Sequence, residues 1–556
     1  MQNKHNLKII TFIVAFLLTI NLVSCMSTSV PLRESYLQVD IEDYIYSTYF
    51  GGDSPEDNIK DIVTDSDGNI IVTGNTLSTD FPIQDAFQDT FAGGESDDHG
   101  VSGDGFLTKF DPDGQLLWST FLGGSSLDGG LFVEVVEAND IVVVGITQSN
   151  DFPILGEAYQ ADYSGSYDIF ISKFAANGSI LYSSYLGTIG DDRVNDFELD
   201  SVGNLVISGG TDSADFPVTP DAAQSVFDGG SDGFLMLISA NCSTILYSTF
   251  LGGSSYEGID KIALDHQDNI IATGFTGSQD FPITEDAYQD SISSTYHRDF
   301  FIAKYNSSGH LGYATFFGGS HMDDCFGVAV DSVGDIIIVG RTWSSDFPIV
   351  NAYQENYSMI EVDGFVAKLT NDGQELIFSS FFGGAAWDTV LHVDIDGSNN
   401  IIVSGIAGPD GIPLIDAFQT EIGGSGDVII MKISPTGQPL FGSYLGGMGQ
   451  DHPWHQYLSN DNLYIVGLTA SLDFLITENA YQQTLQGNQD AFLFRFDIEE
   501  YLTSLPPESS QMTSESAVAT TSISSETTMT ESTPGLTLIT LISTLSLAGL
   551  SVRRKR

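Results

Sequence analysis

The chain has 556 residues, 42% of them hydrophobic and 11% aromatic, enough apolar material for a large core. Its 75 acidic against 18 basic side chains give a formal net charge of −57. That excludes DNA and RNA as partners, because neutralising phosphates takes clustered Lys and Arg. Three cysteines, Cys25, Cys242 and Cys325, make no disulfide framework in so long a chain, and the last two are expected as free thiols.

Residues 1–26 read as an export signal. Lys4 and Lys8 give a positive start, and Ile9 to Leu22 is an uncharged apolar run too short for a comfortable membrane span. Leu22-Val-Ser-Cys25 resembles the lipobox of prokaryotic lipoproteins, which implies a lipidated Cys25; the alternative is an ordinary secretory signal. Residues 27–43 are a polar lead-in.

From residue 44 the chain repeats. Tyr247-Ser-Thr-Phe-Leu-Gly-Gly253 returns as close variants whose first glycines are residues 51, 123, 187, 252, 318, 383 and 446, at steps of 63 to 72 residues. A period this regular decides the fold. The unit holds four apolar stretches: A, 259–265; B, 269–276; C, 299–305; D, 311–317. Each has strand length and is bounded by Gly, Asn, Asp or Pro. Four antiparallel strands repeated seven times predict an all-β chain, a single seven-bladed β-propeller over 44–501, with A lining the channel and D outermost. The array starts on a D strand, Tyr44 to Phe50, and ends on a C strand, so the N-terminal strand is expected to complete the last blade.

The Tyr-Ser-Thr-Phe-Leu-Gly-Gly strand end, Gly68-Asn-Ile-Ile-Val-Thr-Gly74, Ser78-Thr-Asp-Phe-Pro82, Asp104-Gly-Phe-Leu-Thr-Lys-Phe110 and Gly114-Gln-Leu-Leu-Trp118 resemble the prokaryotic seven-bladed β-propeller (SBBP) repeats of exported surface proteins. The resemblance implies fold and exposure, not an activity. The sixth unit departs from it with Gly408-Pro-Asp-Gly-Ile-Pro413, and the seventh lacks the proline, reading Ser471-Leu-Asp-Phe-Leu475.

Residues 502–534 turn rich in Ser and Thr and lose large apolar residues, as a disordered, O-glycosylated stalk does. Leu536 to Val552 is uncharged and rich in Leu and Ile, and Arg553-Arg-Lys-Arg556 ends the chain. Residues 535–556 read as a membrane helix with its basic tail in the cytoplasm and the propeller outside. Stalk, Pro534-Gly-Leu536, apolar run and basic tail resemble archaeal and bacterial C-terminal sorting signals, whose archaeal form carries Pro-Gly-Phe.

One carboxylate follows each Gly-Gly: Asp57, Asp128, Asp192, Glu257, Asp323, Asp388 and Asp451. Repetition puts them in a ring at one channel mouth, either as braces of their own turns or as a negative funnel for cations or cationic ligands. Asp97, Asp98 and His99, in an insertion of the first unit, are expected at its rim. Asp65, Asp67 and Asn69 alternate oxygen ligands as a calcium loop does, although a tight A–B hairpin explains them equally. Calcium is the one cofactor the sequence raises. His452 and His455 flank Pro-Trp beside Asp451, but three-residue spacing in a strand points them to opposite faces. Asn177, Asn241, Asn306 and Asn356 head N-glycosylation sequons, the first three in C–D turns.

No catalytic motif is present, so the expected function is a non-catalytic surface display or binding module for an extracellular protein or glycan. The alternatives are an extracellular carbohydrate- or peptide-acting enzyme using channel-mouth carboxylates, and a structural envelope component. D–A and B–C connections are expected on one face, as the ligand face, and A–B and C–D turns on the other.

Overall fold

The computed structural model describes residues 41–505 apart from 55, 95–100, 293–297, 359–361, 385, 409–411 and 425. Its strands form seven four-stranded antiparallel sheets, the blades of a propeller. Blade 4 shows the unit: A, Glu257–Leu264; B, Ile270–Thr276; C, Asp299–Tyr305; D, Leu311–Phe317. Strand A begins two residues before the predicted start, because Glu257 already pairs with Thr276 across the ladder. Cys325 lies inside an inner strand, Asp323–Val330. Cys242 sits in a C–D turn, and both thiols are free and buried.

The apolar B strands are buried because each blade is covered on both faces by its neighbours. The core accordingly lies between blades. Ile271 and Phe300 of blade 4 pack with Ile336 and Phe365 of blade 5, the two phenyl rings stacked at 5.7 Å. The Phe of each Ser-x-Asp-Phe segment joins this layer: Phe281 lies 4.5 Å from Phe301, and Phe152 lies 4.5 Å from Phe170. A second link uses the aromatic residue that opens the repeated heptapeptide. Tyr247 of blade 3 donates its hydroxyl to the Gly309 carbonyl in the C–D turn of blade 4 at 2.5 Å. Gly309 has φ +81°, and a Cβ there would stand 2.3 Å from the Tyr247 ring, so both the turn and the close approach require glycine. Tyr46 to Gly114, and Trp118 Nε1 to Ala176, repeat the latch at 3.1 and 3.2 Å.

The ring closes as expected. Blade 7 consists of Asp451–Ser459, Asn462–Thr469, Asp490–Asp497 and, outermost, Ile45–Phe50. Ile45 faces Phe496 and Phe50 faces Ala491 across the seam. The fold runs on past the predicted boundary at 501. Asp497 caps a short helix, Ile498–Ser504, by accepting from Glu500 N, and its Tyr501 packs edge-on against Tyr44 at 5.7 Å. Cys25, the export signal, the 97–99 rim residues and the chain from 506, with nearly all of the stalk and the whole anchor, lie outside the described residues. Among the described residues no helix is long and apolar enough to cross a membrane.

Closure by a non-covalent seam predicts that deleting residues 44–50 abolishes cooperative thermal unfolding of a monomer, or drives dimerisation through the exposed C-strand edge. Within the intact ring, replacing the fully buried Phe50 by Ala costs about 3–5 kcal/mol. A melting profile unchanged by the deletion contradicts this closure.

Candidate functional site

The seven carboxylates after Gly-Gly stand at or just before the start of each A strand, and all are buried. They form no charged funnel, because each is buried and accepts hydrogen bonds within the fold. Asp128 accepts from Gly124 N at 2.6 Å, Thr147 Oγ1 at 2.5 Å and Ser149 Oγ at 2.7 Å. Asp57 uses Gly52 N, Thr76 and Ser78; Asp451 uses Gly447 N, Thr469 and Ser471. Asp192 accepts from Thr188 N and Thr211, Glu257 from Gly253 N and Thr276, and Asp323 from Gly319 N and Ser344. In blade 6, where Ala407 replaces the threonine, Asp388 accepts from Gly384 N and Gly408 N. Each therefore ties a D–A turn to the end of strand B, or to the B–C connection that follows it, in its own blade.

A second set of acids went unrecognised. Every C strand begins with an aspartate: Asp104, Asp168, Asp232, Asp299, Asp363, Asp427 and Asp490, all buried. Each faces the A-strand carboxylate of the next blade, as Asp104 faces Asp128 and Asp490 faces Asp57 across the seam. Burial, reinforced by a like-charged partner or neighbour, pushes Asp104, Asp128, Asp323, Asp388 and Asp490 up to about 7, and Asp168 and Asp232 up to about 6. The signal that could have found this set is an Asp heading all seven C strands.

The Asp65 loop is a hairpin brace rather than a cation loop. Asp65 Oδ1 accepts from the backbone of Asp67 and Asn69, and Oδ2 accepts from Asn69 Nδ2 and lies 2.7 Å from the Lys109 ammonium, which sits where a cation would lie. Lys304 on Asp265, Lys368 on Asp331 and Lys432 on Asp396 repeat the pair. Asn177, Asn241 and Asn306 are exposed in C–D turns, with side-chain oxygens that accept from the residue two ahead; Asn356 is exposed in a B–C connection.

The channel itself is shaped by a β-bulge at one position of every A strand. A bulge inserts an unpaired residue and re-aims its neighbours. It therefore turns two consecutive side chains toward the channel: Lys60 and Asp61, Asn195 and Asp196, Asp260 and Lys261, Trp454 and His455. This corrects the expectation for the histidines. The bulge at Trp454 breaks the alternation, so His452 and His455 face partners two residues apart, Leu468 and Val466; the His452 ring is tilted against Trp454 at 4.6 Å, and His455 enters the channel and contacts Asp61.

Two spaces follow along the axis. The mouth on the D–A and B–C side is a cavity of about 490 Å³, walled by Lys60, Arg193, Lys261 and Arg298, with Trp454, Phe275 and Phe326 between them. Lys60 stands 3.4 Å over the Trp454 ring. Arg298 and Arg341 share Asp324, at 3.1 and 2.9 Å. Below it lies a narrower space of about 270 Å³ holding Asp61, Glu134, Asp196, Glu198, Asp394, His392 and His455. Burial pushes Glu134 up to about 8 and Glu198 well above the carboxylate range, and holds His392 well below the usual imidazole value. Lys261 loses by burial, but Asp196 at 3.2 Å more than restores its charge. The buried Trp454 Nε1, His392 Nε2 and Gln456 Oε1 have no protein hydrogen-bond partner.

The inter-blade acids predict a pH dependence of stability. A carboxyl raised on folding contributes stability that is fully present below its unfolded value, near 3.8, and lost as pH rises through 6 to 7. Asp65, Asp265, Asp331 and Asp396, lowered by Asn and Lys partners that outweigh burial, lose theirs only as pH falls below 3.8. Calorimetry is therefore expected to show a higher melting temperature near pH 5 than at pH 8. Converting Asp128, Asp323 and Asp388 to Asn places an amide donor against existing donors, costing about 1–3 kcal/mol at each site. A triple variant that melts unchanged but loses ligand binding would restore the funnel reading.

Residues 45–82 match the SBBP family, described as a beta-propeller repeat. No curated protein matches the chain. Among solved structures it is similar to the polysaccharide lyase Uly1, at 11% identity and TM-score 0.41, covering 84% of this chain and 94% of that one. It is also similar to virginiamycin B lyase from Staphylococcus aureus, at 8% identity and TM-score 0.39, covering 81% and 99%. A third is the Pan2 WD40 domain of Neurospora crassa, at 8% and 0.38, covering 79% and 89%. The chain thus carries an SBBP beta-propeller repeat within a seven-bladed propeller.

Proposed function

We propose that this protein is a non-catalytic binding module displayed on the outer face of a prokaryotic membrane, taking an extracellular protein or glycan at the channel mouth. The observation that carries this reading is the mouth cavity of about 490 Å³ on the side of the D–A and B–C connections. Long connections on a rigid ring are where binding resides, and three exposed sequons lie on the opposite side, in tight C–D turns. The acids named from sequence are structural in this reading, and the ligand meets the bulge residues instead.

A protein and glycan array probed with the full-length chain, with and without calcium, tests it. The expected result is a hit abolished by Lys60→Ala with Trp454→Ala, at an unchanged melting temperature. A hit insensitive to that pair moves the site elsewhere.

A second reading, an extracellular carbohydrate- or peptide-acting enzyme, is favoured by one feature, the contact of His455 with Asp61 beside Lys261 and Asp196 in the narrower space. A carboxylate that orients an imidazole is a general-base arrangement. Product release from a bound ligand, abolished by His455→Ala without loss of binding, would replace the binding reading with this one.

Surface display rests on the terminal segments. Removing residues 536–556 is expected to release the protein into the medium, unless Cys25 carries lipid, in which case release also requires Cys25→Ser. Retention of the doubly altered protein in washed membranes contradicts both anchors.

A further inference from the structure

The chain has few cations, and their distribution is uneven. Among the described residues, Lys109, Lys173, Lys304, Lys368 and Lys432 occupy one repeated C-strand position and pair with the A–B turn acids Asp65, Asp140, Asp265, Asp331 and Asp396. Arg495, at the same position in the last blade, donates to the Pro112 carbonyl. The other five basic side chains, Lys60, Arg193, Lys261, Arg298 and Arg341, come from four blades and from different positions of the unit, and all gather at the channel mouth. We propose that the mouth and the groove leading out of it bind an acidic polysaccharide, a chain of carboxylated or sulfated sugars. This rests on the reading of the mouth as a binding site and names the class of its ligand.

The local balance of charge is positive in a chain of net charge −57. Lys60, Arg193, Lys261 and Arg298 line the mouth and Arg341 stands behind it, five cations against four acids: Asp260 and Asp324 in the wall, Asp191 beside Arg193 and Asp196 beside Lys261. Asp324 is shared by two guanidinium groups, which leaves one of them in excess. Burial pushes Asp260 up to about 7, so it offsets the cations only in part near neutrality. Arg193 meets Asp191 at 3.4 Å and lies 4.2 Å over the Tyr167 ring, which sets the guanidinium plane for a forked contact with a carboxylate or sulfate.

The shape suits a chain. Arg193, Asn195 and Phe275 line both the mouth and a second cavity of about 280 Å³, which runs outward over blades 3 and 4 to Tyr256, 65% exposed. Trp454, Phe275 and Tyr256 are spaced along this path and offer apolar surfaces to sugar rings. Asp191 and Asp212 line the outer part. Carboxylates there accept from hydroxyls and repel a ligand with a charge at every position. A sugar polymer, with several hydroxyls for each acidic group, fits that alternation; an acidic polypeptide does not.

The test measures binding of the full-length chain to immobilised polygalacturonate, dextran sulfate, neutral dextran and poly-L-glutamate in 0.15–0.5 M NaCl, where repulsion from distant carboxylates is screened beyond about 8 Å. Binding to polygalacturonate or dextran sulfate, with neither neutral dextran nor polyglutamate bound as well, is expected; which of the two binds tells carboxylate from sulfate. Arg193→Gln with Tyr256→Ala, both outside the buried core, is expected to weaken it about tenfold or more at an unchanged melting temperature. Equal binding of neutral dextran, stronger binding of polyglutamate, or acidic-glycan binding indifferent to the double variant overturns the proposal. A protein or neutral-glycan ligand that the double variant abolishes would overturn it while leaving the binding module standing. Failure of every ligand class, on the array as on these polymers, would remove both.

Discussion

Everything in this propeller depends on one buried carboxylate per blade, set where the outer strand of one blade hands the chain to the inner strand of the next. Asp57 shows the constraint. Its oxygens accept from the Gly52 amide, from Thr76 at the end of strand B and from Ser78 in the B–C connection, so one side chain fixes three segments. Asp80, two residues beyond Ser78, accepts from the Asp53 amide at 3.1 Å and fastens the same turn from outside. The paired glycines follow from this crowding. A Cβ at Gly51 would lie 2.7 Å from Asp57 Oδ2, and one at Gly52 would lie 2.5 Å from Asp80 Oδ1. Gly-Gly and Ser-x-Asp, far apart in the sequence of a unit, are two halves of one junction wherever a unit keeps both. Where one half changes the other yields: blade 6 lacks the threonine, and a backbone amide at Gly408 takes its place.

The same junction explains how so acidic a chain folds. Fourteen carboxylates stand in facing pairs between blades, a placement that would be prohibitive if all were charged. Burial favours the neutral form of such acids as Asp104, Asp128, Asp323, Asp388 and Asp490, and the turns donate to one or both oxygens of each of these five. The self-repulsion expected of a chain with net charge −57 is thus smaller in the fold than the sequence count suggests.

Blade number, strand order, seam and the shared face of the D–A and B–C connections were all legible in the sequence, because they follow from a period and from strand alternation. The seven acids after Gly-Gly were legible as positions. Their burial was not, since it depends on a threonine and a serine that reach them from the B strand and the B–C connection. The channel lining was hidden by the alternation rule itself. A bulge inserts one unpaired residue, so Trp454 and His455 share a side that strict alternation denies them. The cations at the mouth were hidden for the opposite reason. Lys60 belongs to a bulge, Arg193 to the start of an A strand, Arg298 to a B–C connection and Arg341 to the end of a B strand. Residues that never share a repeat position leave no mark on a repeat.

That lack of repetition is itself informative. Seven blades pose the same packing problem seven times, and the residues that solve it recur: the buried acid, the paired glycines, the phenylalanine between sheets, the lysine on the A–B turn. A side chain that does not recur is not required by packing. Arg193 and Lys261 stand at positions where other blades carry glycine, aspartate, phenylalanine or histidine without altering the strand. Arg298 and Arg341 crowd onto one aspartate, although the chain has acids in large excess elsewhere to receive them. If pairing alone governed the placement of cations, they would be spread among those acids, as the C-strand lysines are, one to a turn. Their convergence on a single opening places a demand there that the ring's own stability does not make.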